Sequence, residues 1–295
     1  MCESSTGNLF SHGEWSDQLR SFKYGLQQWM NKENCIVTTA AAANGWEVIL
    51  VFCTGLVLGS FLNVVAYRVP RGESLAWPGS HCLNCNRSLS AWELVPIVSW
   101  LLLQGRCRGC RRPIPLRYPI LELVTGCLAA ATWLTVPDWP QRIAWGVFWL
   151  LLVAVTGTDL TAMRVPNVLS YTGAVVLVVL SPLEGVQSWR TALIGGSLCF
   201  LVLLVIHFIT GGNMGLGDAK LYFSIGAMFG AAYGMESFVL ASCSGAVVGL
   251  LMRWAGLMRR REYMPFVPHI AIGVVLTKFF GPAMTEWYLH LLLGH

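Results

Sequence analysis

VILVFCTGLVLGSFLNVVAY, Val48 to Tyr67, runs for twenty residues without a charge. As a helix it spans about 30 Å, the hydrocarbon thickness of a bilayer. Working outward, further apolar stretches fall at roughly Ile120–Val136, Ile143–Thr158, Val168–Leu180, Thr191–Thr210, Asp218–Tyr233 and Ser237–Trp254. A last one runs from Phe266 to around Leu293, with a break expected at Gly281-Pro282. Of the 295 residues, 55% are hydrophobic and only 12% charged, against about 25% charged in soluble domains. Disorder, a collagen repeat and a secreted disulfide knot are excluded. The pattern predicts an all-α polytopic membrane protein with about eight transmembrane helices.

The net charge of +5 raises the question of a nucleic-acid partner, and the placement of the charge answers it. Eight cations are arginines between Arg68 and Arg117, inside one polar interruption of the apolar sequence. Such clustering marks a loop kept in the cytoplasm, and no nucleic-acid partner is expected. With that loop inside, the tail 1–44 lies outside, while Arg164, Lys220 and the run Arg259–Arg261 fall at the inner face; the outer loops carry only Arg142 and Arg190. The tail mixes three cations with four anions, and it shows no basic segment leading into an apolar one, so no cleavable signal peptide is expected. Phe22, Leu26 and Trp29 fit one face of a short amphipathic helix, to which no function attaches.

Outside the tail the chain has three aspartates. Asp138 belongs to an outer turn. Asp159 closes the third apolar stretch and Asp218 opens the sixth, which puts both at the cytoplasmic membrane face. An ionisable group at a membrane span is expensive and marks a functional position. Two carboxyls at one depth can share a proton, leaving one acid and one base to activate water. The alternative is a pair of helix caps. Asp218 follows Gly215-Leu216-Gly217 and suits an N-cap, whereas Asp159 ends a helix whose dipole disfavours an anion.

Four of the ten cysteines form two tight pairs, Cys82-x2-Cys85 and Cys107-x2-Cys110, twenty-one residues apart. This is the form of a structural zinc site, two knuckles presenting four sulfurs with no position open for water. Two local disulfides are the competing reading, and a reducing cytoplasm disfavours them. His81 reads as a neighbour of the site. A small cytoplasmic four-cysteine zinc-binding loop domain is therefore expected between the first two spans. Cys2, Cys35, Cys53, Cys127, Cys199 and Cys243 are scattered and mostly read as small buried hydrophobes.

Met214-Gly215-Leu216-Gly217-Asp218-Ala219-Lys220 contains Gly-x-Gly-Asp-x-Lys, and Asp159 is followed by Pro166-Asn167. With Gly59-Ser60-Phe61-Leu62-Asn63 through Arg68-Val69-Pro70, Trp92-Glu93-Leu94-Val95-Pro96, and Arg117-Tyr118-Pro119-Ile120-Leu121-Glu122, the chain from about Gly55 to its end resembles the prepilin peptidases, intramembrane aspartyl proteases of the GxGD type. The resemblance implies Asp159 and Asp218 as the catalytic pair. It implies prepilin and pseudopilin substrates with a short basic leader, cut at the cytoplasmic face of the bacterial inner membrane. Type IV pilus or type II secretion assembly machinery and membrane lipid are the implied surroundings. Members with the cysteine loop typically also N-methylate the new terminus from S-adenosylmethionine. The division implied is 1–44 polar tail, 45–137 cysteine domain and methyltransferase part, and 138–295 peptidase. Gly105 matches a glycine associated with methyl transfer; a plain turn into the second knuckle reads equally well there. Where the family usually has Pro-Phe-Gly-Pro, this chain has Pro265-Phe266-Val267-Pro268. Lys220 either pairs with a carboxylate or snorkels to the interface. Glu122 suggests a role in orienting the cysteine domain, and His207 with Ser224 shows no spacing that supports a serine-protease triad. A peptidase without methyl transfer, and a non-enzymatic transporter or receptor with a zinc-bound loop, are the alternatives.

Overall fold

The computed structural model describes residues 44–184, 188–212, 214–257 and 264–293. The tail with Phe22, Leu26 and Trp29 and the basic run Arg259–Arg261 lie outside the described residues. The helices are α1 Gly45–Arg68, α2 Val98–Leu102, α3 Arg117–Thr135, α4 Trp139–Ala162, α5 Asn167–Leu180, α6 Trp189–Ile209, α7 Leu216–Trp254 and α8 Val267–Leu293. Among the described residues, six of them are long and apolar enough to cross a membrane, by length and composition. Exposed apolar side chains on their outer faces, such as Leu50, Val57 and Phe61 on α1 and Leu201 and Val205 on α6, suit contact with lipid tails. The protein is an all-α, multi-pass membrane protein.

Among the described residues eight apolar segments are present, in the order expected, although two differ from simple spans. Helix α5 has 14 residues, about 21 Å of helix, which is short of a bilayer core. Helix α7 merges the expected sixth and seventh stretches across Gly230, whose φ of 77° and ψ of 172° break the helix. The chain reverses there. Tyr222 and Phe238, sixteen residues apart, meet with ring centroids 5.6 Å from each other, where a straight helix would separate them by about 24 Å. Thus α7 is a hairpin of two arms, and its tip lies at the level of Trp145, whose ring touches that of Phe229 at 5.2 Å. The break expected at Gly281-Pro282 does not occur, because α8 continues through Pro282. A proline inside a membrane helix forfeits one backbone donor that packed neighbours tolerate.

Helix α4 is the hub. From Ala144 to Asp159 most of its residues are buried, with Trp145, Phe148, Trp149, Leu152 and Val155 forming the centre of the core. Trp149 satisfies its indole N–H on Thr132 Oγ1 of α3 at 2.9 Å. A residue at the end of this helix is therefore fixed by the best-packed element of the molecule. The cysteine domain, between α1 and α3, contains α2, short 3₁₀ turns and two isolated bridges, His81 with Ser88 and Arg106 with Pro113.

Candidate active site and metal centre

Asp159 lies in the last turn of α4, where Met163 in the left-handed region (φ 49°) closes the helix by donating its N–H to the Asp159 carbonyl at 2.8 Å. Its side chain leaves that unfavourable end for another helix: Oδ2 accepts the backbone N–H of Val267 at 3.0 Å. The N-terminus of α8 thus supplies the positive dipole end that α4 denies it. Only the backbone of Val267 is used, so the contact does not depend on its side chain. The valine side chain is itself fully buried in the core.

Asp218 is not the N-cap that the competing reading would make it. Gly215 takes that place, and Asp218 is the third residue of α7. Its carboxylate folds back toward Gly215, where a Cβ would lie 3.1 Å from Oδ2. A Cβ on Gly217 would sit 2.7 Å from Val165 Cβ. The Gly-x-Gly pair thus lets the start of α7 press against the loop that follows Asp159. Lys220 seals the same junction: its Nζ donates to Asn167 Oδ1 at 2.7 Å and lies over the Tyr171 ring at 5.1 Å. The two aspartate motifs are tied together by these residues, and Lys220 pairs with an amide in place of a carboxylate.

Both carboxyls border one cavity of about 1000 Å³. They are only 7% and 8% exposed. The remaining wall is largely apolar, with Val69, Met214, Phe238 and Phe266 around the pair and Arg164 as the cation. Chemically this is two acids bordering one cavity whose wall suits an apolar chain.

The four cysteine sulfurs lie within 4.8 Å of one another, and Cys82 and Cys110 Sγ are 3.8 Å apart. Four sulfurs about 2.3 Å from a tetrahedral zinc would be about 3.8 Å from each other. The two knuckles repeat one backbone design. Cys82 donates its N–H to the Arg87 carbonyl and accepts from Asn86; Cys107 does the same with Arg112 and Arg111, every distance 2.9 Å. Asn86 and Arg111 hold the left-handed turns, with φ of 52° and 59°. Backbone N–H groups of Cys110 and Gly109 lower the Cys107 thiol below the usual range. Those of Arg112, then the Asn84 side chain, bring Cys110 down to about 6. Thiolates are what a metal requires. Arg87 and Ser90 hold the Glu93 carboxyl down to about 2, which fixes the first knuckle to the turn at Ala91–Leu94. His81 instead contacts the Gly79 carbonyl and stays outside the cluster.

Of the other residues singled out in the sequence, Glu122 accepts the Ile97 N–H at 2.8 Å, which does tie α3 to the cysteine domain. His207 Nδ1 contacts the Met214 carbonyl at 2.5 Å, an ordinary bundle contact. Gly105 holds φ 64° at the entrance to the second knuckle. Sequence reasoning missed Val267 as a partner of Asp159; the only signal was the run of two prolines around it.

Comparison with known proteins agrees with this geometry. Residues 53–136 match the bacterial peptidase A24 N-terminal domain, and residues 145–250 match the type IV leader peptidase family. Curated relatives named prepilin leader peptidase/N-methyltransferase include one from Bacillus subtilis (strain 168), 36% identical over 250 residues, covering 83% of this chain and 99% of the relative. One from Burkholderia pseudomallei (strain 1026b) is 35% identical over 286 residues, covering 86% and 91%. A third, from Aeromonas hydrophila, is 34% identical over 270 residues, covering 81% and 93%. No solved structure matches the chain. From its motifs, its helical architecture and these matches over most of its length, the chain belongs to the type IV leader peptidase family.

Proposed function

We propose that this protein removes the basic leader from type IV prepilins and type II secretion pseudopilins, and N-methylates the terminus so exposed. The observation that carries the reading is the meeting of Asp159 and Asp218 at one cavity, from residues 59 positions apart in sequence. The pair shares a proton. The ionised carboxylate takes a proton from water as it attacks the scissile carbonyl, and the protonated one donates to the departing amine, without an acyl-enzyme. The Val267 N–H and the Gly217–Val165 contact hold the two carboxyls in place. The apolar wall at Phe238 and Phe266 receives the substrate's apolar helix, whose leader stays in the cytoplasm. The inner membrane, with the site at its cytoplasmic face, is the setting that the arginine distribution supports.

The residues 45–137 form the methyltransferase part and 138–295 the peptidase. Cys82, Cys85, Cys107 and Cys110 hold a structural zinc, for which their sequence spacing and the clustering of their sulfurs suit them. S-adenosylmethionine serves as the methyl donor. Assembly machinery of a pilus or secretion system takes the processed product. Asp159→Asn and Asp218→Asn are nearly isosteric and cannot act as bases. Each should cut leader removal by about 10²-fold or more while still methylating a pilin supplied already cleaved. Cleavage by both variants near the wild-type rate would overturn the assignment.

A further inference from the structure

Inside the cysteine domain, Leu94-Val95-Pro96-Ile97-Val98-Ser99-Trp100-Leu101-Leu102-Leu103 runs without a charge. Such a run is too short to span a bilayer and has the length of an interfacial or re-entrant segment. It contains the short helix α2, whose polarity is the inverse of what water demands. Ser99 is buried. Val98, Leu101 and Leu102 share one face of α2 at the i, i+3 and i+4 positions, and all three are exposed, Leu101 by 61% and Leu102 by 71%. Leu94 and Val95 are exposed in the turn that leads to them. Adjoining exposed apolar side chains of this size mark a surface that meets something other than water.

The segment also stands at membrane depth. The Ile97 N–H donates to Glu122 Oε2 at 2.8 Å, and Glu122 lies five residues, about 8 Å, inside α3. Glu122 packs in turn on α1, where a Cβ on Gly59 would lie 2.7 Å from its Cα. Gly59 is nine residues, about 14 Å, from the end of α1 at Arg68. Both helices are long and apolar enough to cross a membrane. Irregular backbone at such a level has no water to bond, so its N–H groups need acceptors from the protein. Ile97, at φ 60°, is irregular backbone of this kind, and the buried Glu122 carboxylate supplies the acceptor.

We propose that Leu94–Leu103 dips into the membrane as a re-entrant segment, with Val98, Leu101 and Leu102 lying among the acyl chains of the leaflet on the cysteine-domain side. Two observations select lipid as the occupant. The face continues the lipid-facing surface of the two spans that meet at Glu122: Phe61 of α1 and Ile120 of α3 are exposed apolar side chains, as is Leu116 just before α3. The flanks carry what headgroups attract. Trp92 precedes the segment with Arg108 over its ring at 5.3 Å, and Arg106, Arg108, Arg111 and Arg112, all exposed, follow it. A domain hung only from Arg68 and Arg117 would swing on its two strands of chain. The segment instead pins the knuckles to the membrane surface, beside the end of α1 that leads through Val69 and Pro70 into the wall of the aspartate cavity.

The test is photo-crosslinking of the full-length protein in phospholipid vesicles. Benzoylphenylalanine replaces Leu101, Leu102, Val57 or Arg111, one at a time, and lipid adducts are read by mass spectrometry. Leu101 and Leu102 should give adducts on acyl carbons within about threefold of Val57, on the outer face of α1, and about tenfold or more above Arg111. Adducts no higher than at Arg111, adducts confined to headgroups, or crosslinks to a second copy of the chain in place of lipid overturn the proposal. Glu122→Leu removes the acceptor for Ile97 and should lower the Leu102 adduct by about fivefold or more with the Val57 adduct unchanged. Glu122→Gln keeps an acceptor and should retain the adduct. An unchanged Leu102 adduct in Glu122→Leu overturns Glu122 as the anchor. If Glu122→Leu lowers the Val57 adduct as well, its fold is lost, and the yields at Leu101 and Leu102 with Glu122 intact decide.

Discussion

At the end of α4 a carboxylate meets the negative end of its own helix, and Asp159 escapes that penalty only by reaching the first N–H of α8 on Val267. Because the donor is backbone, Val267→Gly should cleave prepilin within about twofold of wild type. It should also lower stability by about 1.5–3 kcal/mol for the lost buried side chain, read as a drop in thermal midpoint. Large loss of cleavage in a folded Val267→Gly protein would show that the side chain matters to the site. Gly217 makes the complementary case at Asp218. A methyl there meets Val165 Cβ at 2.7 Å, and the backbone on both sides must shift at a cost of about 1–3 kcal/mol. Gly217→Ala should therefore reduce cleavage, and adding Val165→Ala should restore much of it. Failure of that rescue would mean the glycine serves something other than close approach.

Among the elements, the α7 hairpin and the cysteine domain show how local backbone choices set the larger arrangement. Gly230 turns the two arms of α7 in a region of φ and ψ open essentially to glycine alone. Gly230→Ala should cost about 1–3 kcal/mol, seen as a lower thermal midpoint; an unchanged midpoint would place the reversal elsewhere. The two knuckles share their hydrogen bonds and left-handed turns, so each presents a pair of sulfurs in the same attitude and the pairs close on one point. Purified protein should hold about one zinc per chain, and Cys82→Ser with Cys107→Ser should lose it. Metal analysis that finds none in fresh wild-type protein would exclude the centre.

For the whole molecule, orientation decides whether the aspartates face the compartment that holds the leader. A phosphatase reporter, active only outside the cytoplasm, should be active when fused after Asp138 and silent after Leu75; the reverse pattern would put the cavity on the wrong side. The sequence by itself determined the membrane class, the apolar segments, the two cysteine pairs and the two aspartates, because hydropathy, charge placement and short motifs are local properties that a single stretch displays. Runs such as Val48–Tyr67 and Cys82-x2-Cys85 need no partner to be read. Only the tertiary structure decided that the reversal between the sixth and seventh stretches falls at Gly230 and that Pro282 leaves α8 unbroken. It alone brought Val267 to Asp159 across 108 residues and joined Lys220 to Asn167. Those contacts depend on how helices pack, and a backbone N–H or a missing Cβ leaves no mark in the sequence until another element stands against it.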